Sequence, residues 1–99
     1  MTQSGIEIRS WDAAEHIETE EEVTAYLNTA LEESDPALIV AVLSDIVRAK
    51  GMTQIARSAG LGSESFYKAL SPTGNPEFAT ILKVVDALGL RLQVQAVNL

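Results

Sequence analysis

The sequence predicts an all-α domain of five helices with an N-terminal arm and a short C-terminal β-strand. Three observations predict it. Apolar residues recur with a helical period through most of residues 19–89, turn-forming residues cut that period into five segments, and after Gly89 the pattern alternates instead. Ninety-nine residues with 46% hydrophobic content supply one compact core and too little for two ordinary domains. The division is therefore an arm over residues 1–18 and a folded domain over residues 19–99.

Residues 1–18 show no sustained period; Ile6 and Ile8 alternate with polar neighbours, as in a short strand or an arm that orders on binding. Thr19 and Glu22 have the spacing of a capping box, and Val23, Tyr26, Leu27, Ala30 and Leu31 then mark one helical face, predicting a helix over 20–33. Asp35-Pro36 starts the second helix, with Asp as N-cap and Pro at the first position. Its apolar stripe is Leu38, Ile39, Val42, Leu43, Ile46 and Val47, and Gly51 stops it after Arg48 and Lys50. Two short helical segments follow, one around Thr53–Ala59 and one from Ser63 to Leu70, joined by Gly60-Leu61-Gly62. Residues 71–76 are dense in turn formers and form a loop. Phe78, Ile81, Leu82, Val85 and Leu88 give the fifth helix, from Glu77 to Gly89. Leu90, Leu92, Val94 and Ala96 then alternate with Arg91, Gln93, Gln95 and Val97, as in a strand with one buried face. A lone strand needs a partner, and a second copy across a two-fold axis is the simplest one.

No run approaches the roughly 18 apolar residues of a membrane span, and the N-terminus lacks a basic start and apolar stretch, so a soluble, cytoplasmic protein is expected. Without cysteine there is no disulfide, thiol nucleophile or thiolate metal site. His16 is the sole histidine and reads as a surface residue, so no metal, cofactor or catalytic dyad is expected, and the chain is not read as an enzyme.

Charge is distributed unevenly. The net charge is −7, yet residues 1–36 hold ten acids against Arg9 alone, whereas from residue 37 four acids face six bases. That asymmetry suggests two partners, a basic one for the acidic part and another for the mildly basic body. Glu20, Glu21 and Glu22 suit the positive end of a helix dipole as well as they suit a partner surface. Trp11 fits either a core plug or an interface anchor.

Two short helices joined by a glycine turn form a helix-turn-helix candidate, in which the first helix braces a second that meets base edges in a DNA major groove. Ala56 is small enough for the helix crossing, Gly60 supplies the turn, and Leu61, Phe66 and Leu70 can fill the core. Ser63, Glu64, Ser65, Tyr67 and Lys68 are left on the outer face, and the Ser63 hydroxyl can cap the second helix.

The stretch Met52-Thr53-Gln54-Ile55-Ala56-Arg57-Ser58-Ala59-Gly60-Leu61 resembles the first half of the lambda-repressor-like helix-turn-helix. The longer run GMTQIARSAGLGSESFYKALSPTGNPEFATILKVVDALGLRL is similar to addiction-module antidote proteins, a HigA-like antitoxin group, and the likeness extends to Trp11–Glu15 and to Tyr26-Leu27. The resemblance implies a homodimeric repressor that binds its own operator on double-stranded DNA and neutralises a small, basic RelE/ParE-like toxin of a type II toxin–antitoxin module. At matching positions it implies phosphate contacts from Gln54 and Arg57 and groove contacts from Ser63, Glu64, Ser65, Tyr67 and Lys68. Glu64 can accept from a cytosine amino group, and Lys68 can reach a guanine or a phosphate. Asn75 suits a phosphate contact or turn formation. The acidic arm, with Trp11, Asp12 and Glu15, is expected to meet the toxin. Two alternatives use the same helices: a regulator without a toxin, and a protein-interaction module that has lost DNA, since Lys68 is the lone base of the second short helix.

Overall fold

A computed structural model describes residues 19–97, and among them the chain is helical throughout its regular parts. The five helices are α1 (Glu20–Glu33), α2 (Pro36–Lys50), α3 (Met52–Ala59), α4 (Ser63–Ala69) and α5 (Phe78–Ala87). None is long and apolar enough to cross a membrane.

The helix ends follow the local chemistry. The Glu22 amide donates to Thr19 Oγ1 and the Thr19 amide to Glu22 Oε1, each at 3.0 Å, so the capping box satisfies two amides that no helical carbonyl can reach. The α1 C-terminus closes at Ser34, whose amide donates to the Leu31 carbonyl at 3.1 Å. Asp35 Oδ1 accepts from the Ala37 amide at 3.1 Å, and Pro36 fills the first turn of α2. Gly51 ends α2 through a 2.8 Å bond from its amide to the Val47 carbonyl. Its own carbonyl accepts from Ile55 at 3.0 Å and starts α3, so one residue separates the two helices.

The helices pack in a chain of contacts: α1 on α2, α2 on α3, and α3 on both α4 and α5. Leu43, Ile46, Val47, Phe66 and Val84 are the large, fully buried side chains at the centre. Burying each stabilises the fold by roughly 1.5–3 kcal/mol relative to exposure. No polar or charged residue is buried among the described residues. Tyr26 is half-buried, with its ring packed on the core and its hydroxyl donating to Asp45 Oδ2 at 2.8 Å; Asp45 also pairs with Arg48 one turn along α2.

Two expectations need correction. The predicted C-terminal strand is absent among the described residues. Leu90 and Leu92 rest against the core, but residues 91–97 make no backbone hydrogen bond with other described residues, and Val94 and Val97 are exposed. A strand is defined by its ladder, and alternation alone supplies no neighbour to complete one. The apolar stripe of α5 is also rotated from the predicted one. Val84 and Val85 are buried with Ile81 and Leu88 beside them, while Phe78 is 67% and Leu82 43% exposed. Leu38, at the outer edge of the α2 stripe, is 37% exposed for the same reason: the neighbouring helices cover a narrower face than the apolar residues mark.

Candidate nucleic-acid interface

α3 and α4 divide their side chains between core and solvent. On α3, Ile55 and Ala56 are buried, whereas Thr53, Gln54, Arg57 and Ser58 are exposed. On α4, Phe66 is fully buried, with Leu70 behind it and Leu61 partly covered, whereas Ser63, Glu64, Ser65, Tyr67 and Lys68 are exposed. All seven residues expected to contact DNA are therefore on the surface, on two helices in contact with each other.

The turn between the helices is built on the end of α3. The Gly60 amide donates to the Arg57 carbonyl at 3.1 Å and the Leu61 amide to the Ala56 carbonyl at 2.9 Å. This takes Gly60 to φ 74°, ψ 29°, a left-handed conformation in which a Cβ would crowd the backbone. Gly62, extended at φ −68° and ψ 145°, occupies the N-cap position of α4. Ser63 was expected to cap α4 but is its first helical residue, and neither it nor Gly62 supplies a side-chain cap. The extended turn places the cap one residue earlier than the hydroxyl, so the first-turn amides of α4 have no side-chain acceptor in the cap.

The far end of α4 is fixed by the loop of residues 71–76. The Lys68 carbonyl accepts from Ser71 Oγ at 2.8 Å, and the Gly74 amide donates to the Ser71 carbonyl at 2.9 Å. A Cβ on Gly74 would lie 2.4 Å from the Lys68 carbonyl oxygen and 2.5 Å from that of Ala69, so the loop rests directly on the last turn of α4. Ser71 and Gly74 thus position the backbone that carries Tyr67 and Lys68. The turn-forming composition of residues 71–76 was the available signal, but it does not say where the turn lands.

The exposed face carries Arg57 and Lys68 against Glu64, a slight positive excess surrounded by hydroxyl and amide groups. Tyr67 leaves 46% of its surface outside, its ring centroid 6.5 Å from that of Phe66. Such a face can donate to phosphates through Arg57, Gln54 and Lys68 and can offer hydroxyls and a carboxylate to base edges. Asn75 is exposed in the loop beyond. No group of acids and histidines with metal-binding spacing occurs among the described residues. Trp11, Asp12 and Glu15, together with His16, lie outside the described residues.

A family model described as a probable addiction module antidote protein matches residues 7–96 of the chain. A relative from Haemophilus influenzae, itself described as an uncharacterized protein, is 53% identical over 89 residues, which cover 90% of this chain and 92% of its own. No solved structure matches.

Proposed function

The chain belongs to the family of probable addiction module antidote proteins, and from that premise we propose that it is the antitoxin of a type II toxin–antitoxin module, binding a basic RelE/ParE-like toxin and repressing its own operon as a homodimer. In this proposal α3 and α4 are the helix-turn-helix. α3 braces against the phosphate backbone through Gln54 and Arg57, and the outer face of α4 enters the major groove. The observation that carries the DNA part is the division of α4, with Phe66 fully buried while Ser63, Glu64, Ser65, Tyr67 and Lys68 all face solvent. The hydroxyls, carboxylate and ammonium on that face are the donor and acceptor types that base edges and phosphates take.

The roles differ within that face. Lys68 contributes affinity by displacing a phosphate counterion or contacting a guanine, whereas Glu64 can only accept hydrogen bonds and so contributes choice among bases. Fluorescence anisotropy on the DNA immediately upstream of the gene, at two salt concentrations, tests this. Binding should weaken at the higher salt, and both Lys68→Ala and Tyr67→Ala should weaken it further, with the lysine change lowering the salt slope by about one. Absence of binding at either salt would instead favour a module that uses this face for protein contacts, a reading supported by its low positive charge.

A further inference from the structure

Beside α1 lies a surface that the helix-turn-helix does not use. A trough of about 1020 Å³ runs between α1 and the C-terminal tail, with Leu27, Leu31 and Leu92 among its apolar lining and Thr24, Asn28 and Glu32 on its α1 side. A second concavity of about 480 Å³, lined by Glu20, Glu21, Thr24, Ala25 and Asn28, shares Thr24 and Asn28 with it and continues it toward the start of α1. The wall opposite α1 is the tail that failed to find a ladder, with its backbone unpaired among the described residues and Val94 fully exposed.

We infer that this trough takes an extended, basic segment of the toxin, added as a strand against the tail and neutralised by Glu20, Glu21 and Glu32. The inference rests on the antitoxin function proposed above and assigns it a surface. Charge selects the occupant: Glu20 and Glu21 at one end of the trough and Glu32 at the other outnumber Arg91 on the tail wall, an excess of two acids along the groove. Alone, those glutamates would be an ordinary solvated helix. Here they flank an apolar floor and a free backbone edge, the two features by which a peptide strand is held. Glu20 to Glu32 spans roughly 18 Å of helix, which matches five or six residues of strand at about 3.3 Å each. A second copy of this chain is the poorer charge match, because its tail brings Arg91 as its single base through residue 99 and its own α1 is equally acidic.

The test uses the full-length chain and, as probe, the tagged product of the reading frame beside its gene. Asn28 and Glu32 are both exposed, so Asn28→Arg with Glu32→Arg should leave the melting temperature and operator binding unchanged. It should weaken binding of that product at least about tenfold, since like charges across a contact are costly. A chain ending after Leu92, which keeps the core-packed leucine, should lose as much. If the wild-type chain binds the product and both variants bind it equally well, the trough is the wrong surface and the antitoxin function stands. If the wild-type chain does not bind it, that function fails and the trough assignment with it. If either variant converts a dimer to a monomer in sedimentation, the trough belongs to a second copy and the inference is overturned.

Discussion

The Tyr26 hydroxyl crosses from α1 to reach Asp45 on α2 at 2.8 Å, and its acidity reports how the two helices meet. Burial first, then the hydrogen bond to Asp45 and the charge of that carboxylate, push the phenol up to about 12, with Arg48 opposing. The folded chain therefore keeps a proton that the unfolded chain releases near pH 10. The stability this contributes is whole below about pH 10 and is lost as pH rises toward 12. In Tyr26→Phe, the loss of stability between those two pH values should be smaller than in the wild type, and at neutral pH the variant should be destabilised by about 1 kcal/mol for the missing hydrogen bond. Chemical denaturation at a series of pH values measures both, and parallel pH profiles for the two proteins would refute the first expectation. Periodicity puts Tyr26 on the inward face of α1, yet it carries no information on where the hydroxyl ends, because Asp45 lies nineteen positions away.

At the scale of the element, the ends of the helices were more legible than their faces. Caps depend on neighbours in sequence, so Thr19 with Glu22 and Asp35 with Pro36 act as their types and spacing require. Ser34 departs from this economy. It closes α1 in the left-handed region at φ 56°, ψ 32°, where a Cβ is costly. Ser34→Gly should therefore stabilise the protein by roughly 0.5–1 kcal/mol, the relieved strain exceeding the entropy gained by the unfolded chain. A lower denaturant midpoint for the variant would mean that the serine side chain contributes more than its strain costs. The orientation of α5 was less legible. A helix of ten residues containing Phe78, Ile81, Leu82, Val84, Val85 and Leu88 nearby is apolar over so wide an arc that its buried centre is set by what packs against it. α5 packs on α3, Val85 also lies beside Leu27 and Leu31 of α1, and Phe78 stays outside.

Across the described residues, the acids of α1 and the bases of α3 and α4 lie on different surfaces. Glu20, Glu21 and Glu32 flank the trough, while Arg57 and Lys68 lie on the α3–α4 face. If the two proposed functions use these surfaces, each can be disabled without the other. For the homodimer proposed above, two recognition helices related by a two-fold axis should engage half-sites about 10–10.5 base pairs apart, centre to centre. Inserting about five base pairs between the half-sites turns one of them to the opposite side of the duplex and should lower operator affinity at least about tenfold, whereas ten should restore much of it. Equal affinity for all three spacings in an electrophoretic shift would show that each subunit binds alone.

Local chemistry decided much in this chain before folding. Helix existence, the caps at Thr19 and Asp35, the stop at Gly51 and the turn at Gly60 follow from contacts a few residues apart, which the order of the sequence specifies directly, and the apolar–polar pattern of α4 marks which of its faces can be buried. Only the tertiary structure decided which arc of α5 is covered, that Gly74 rests on the carbonyls of Lys68 and Ala69, and that the alternating tail borders a trough and joins no sheet among the described residues. Each of these depends on what arrives from a distant part of the chain. Alternation and apolar periodicity specify what a segment can bury, and the packing of its neighbours determines what it does bury.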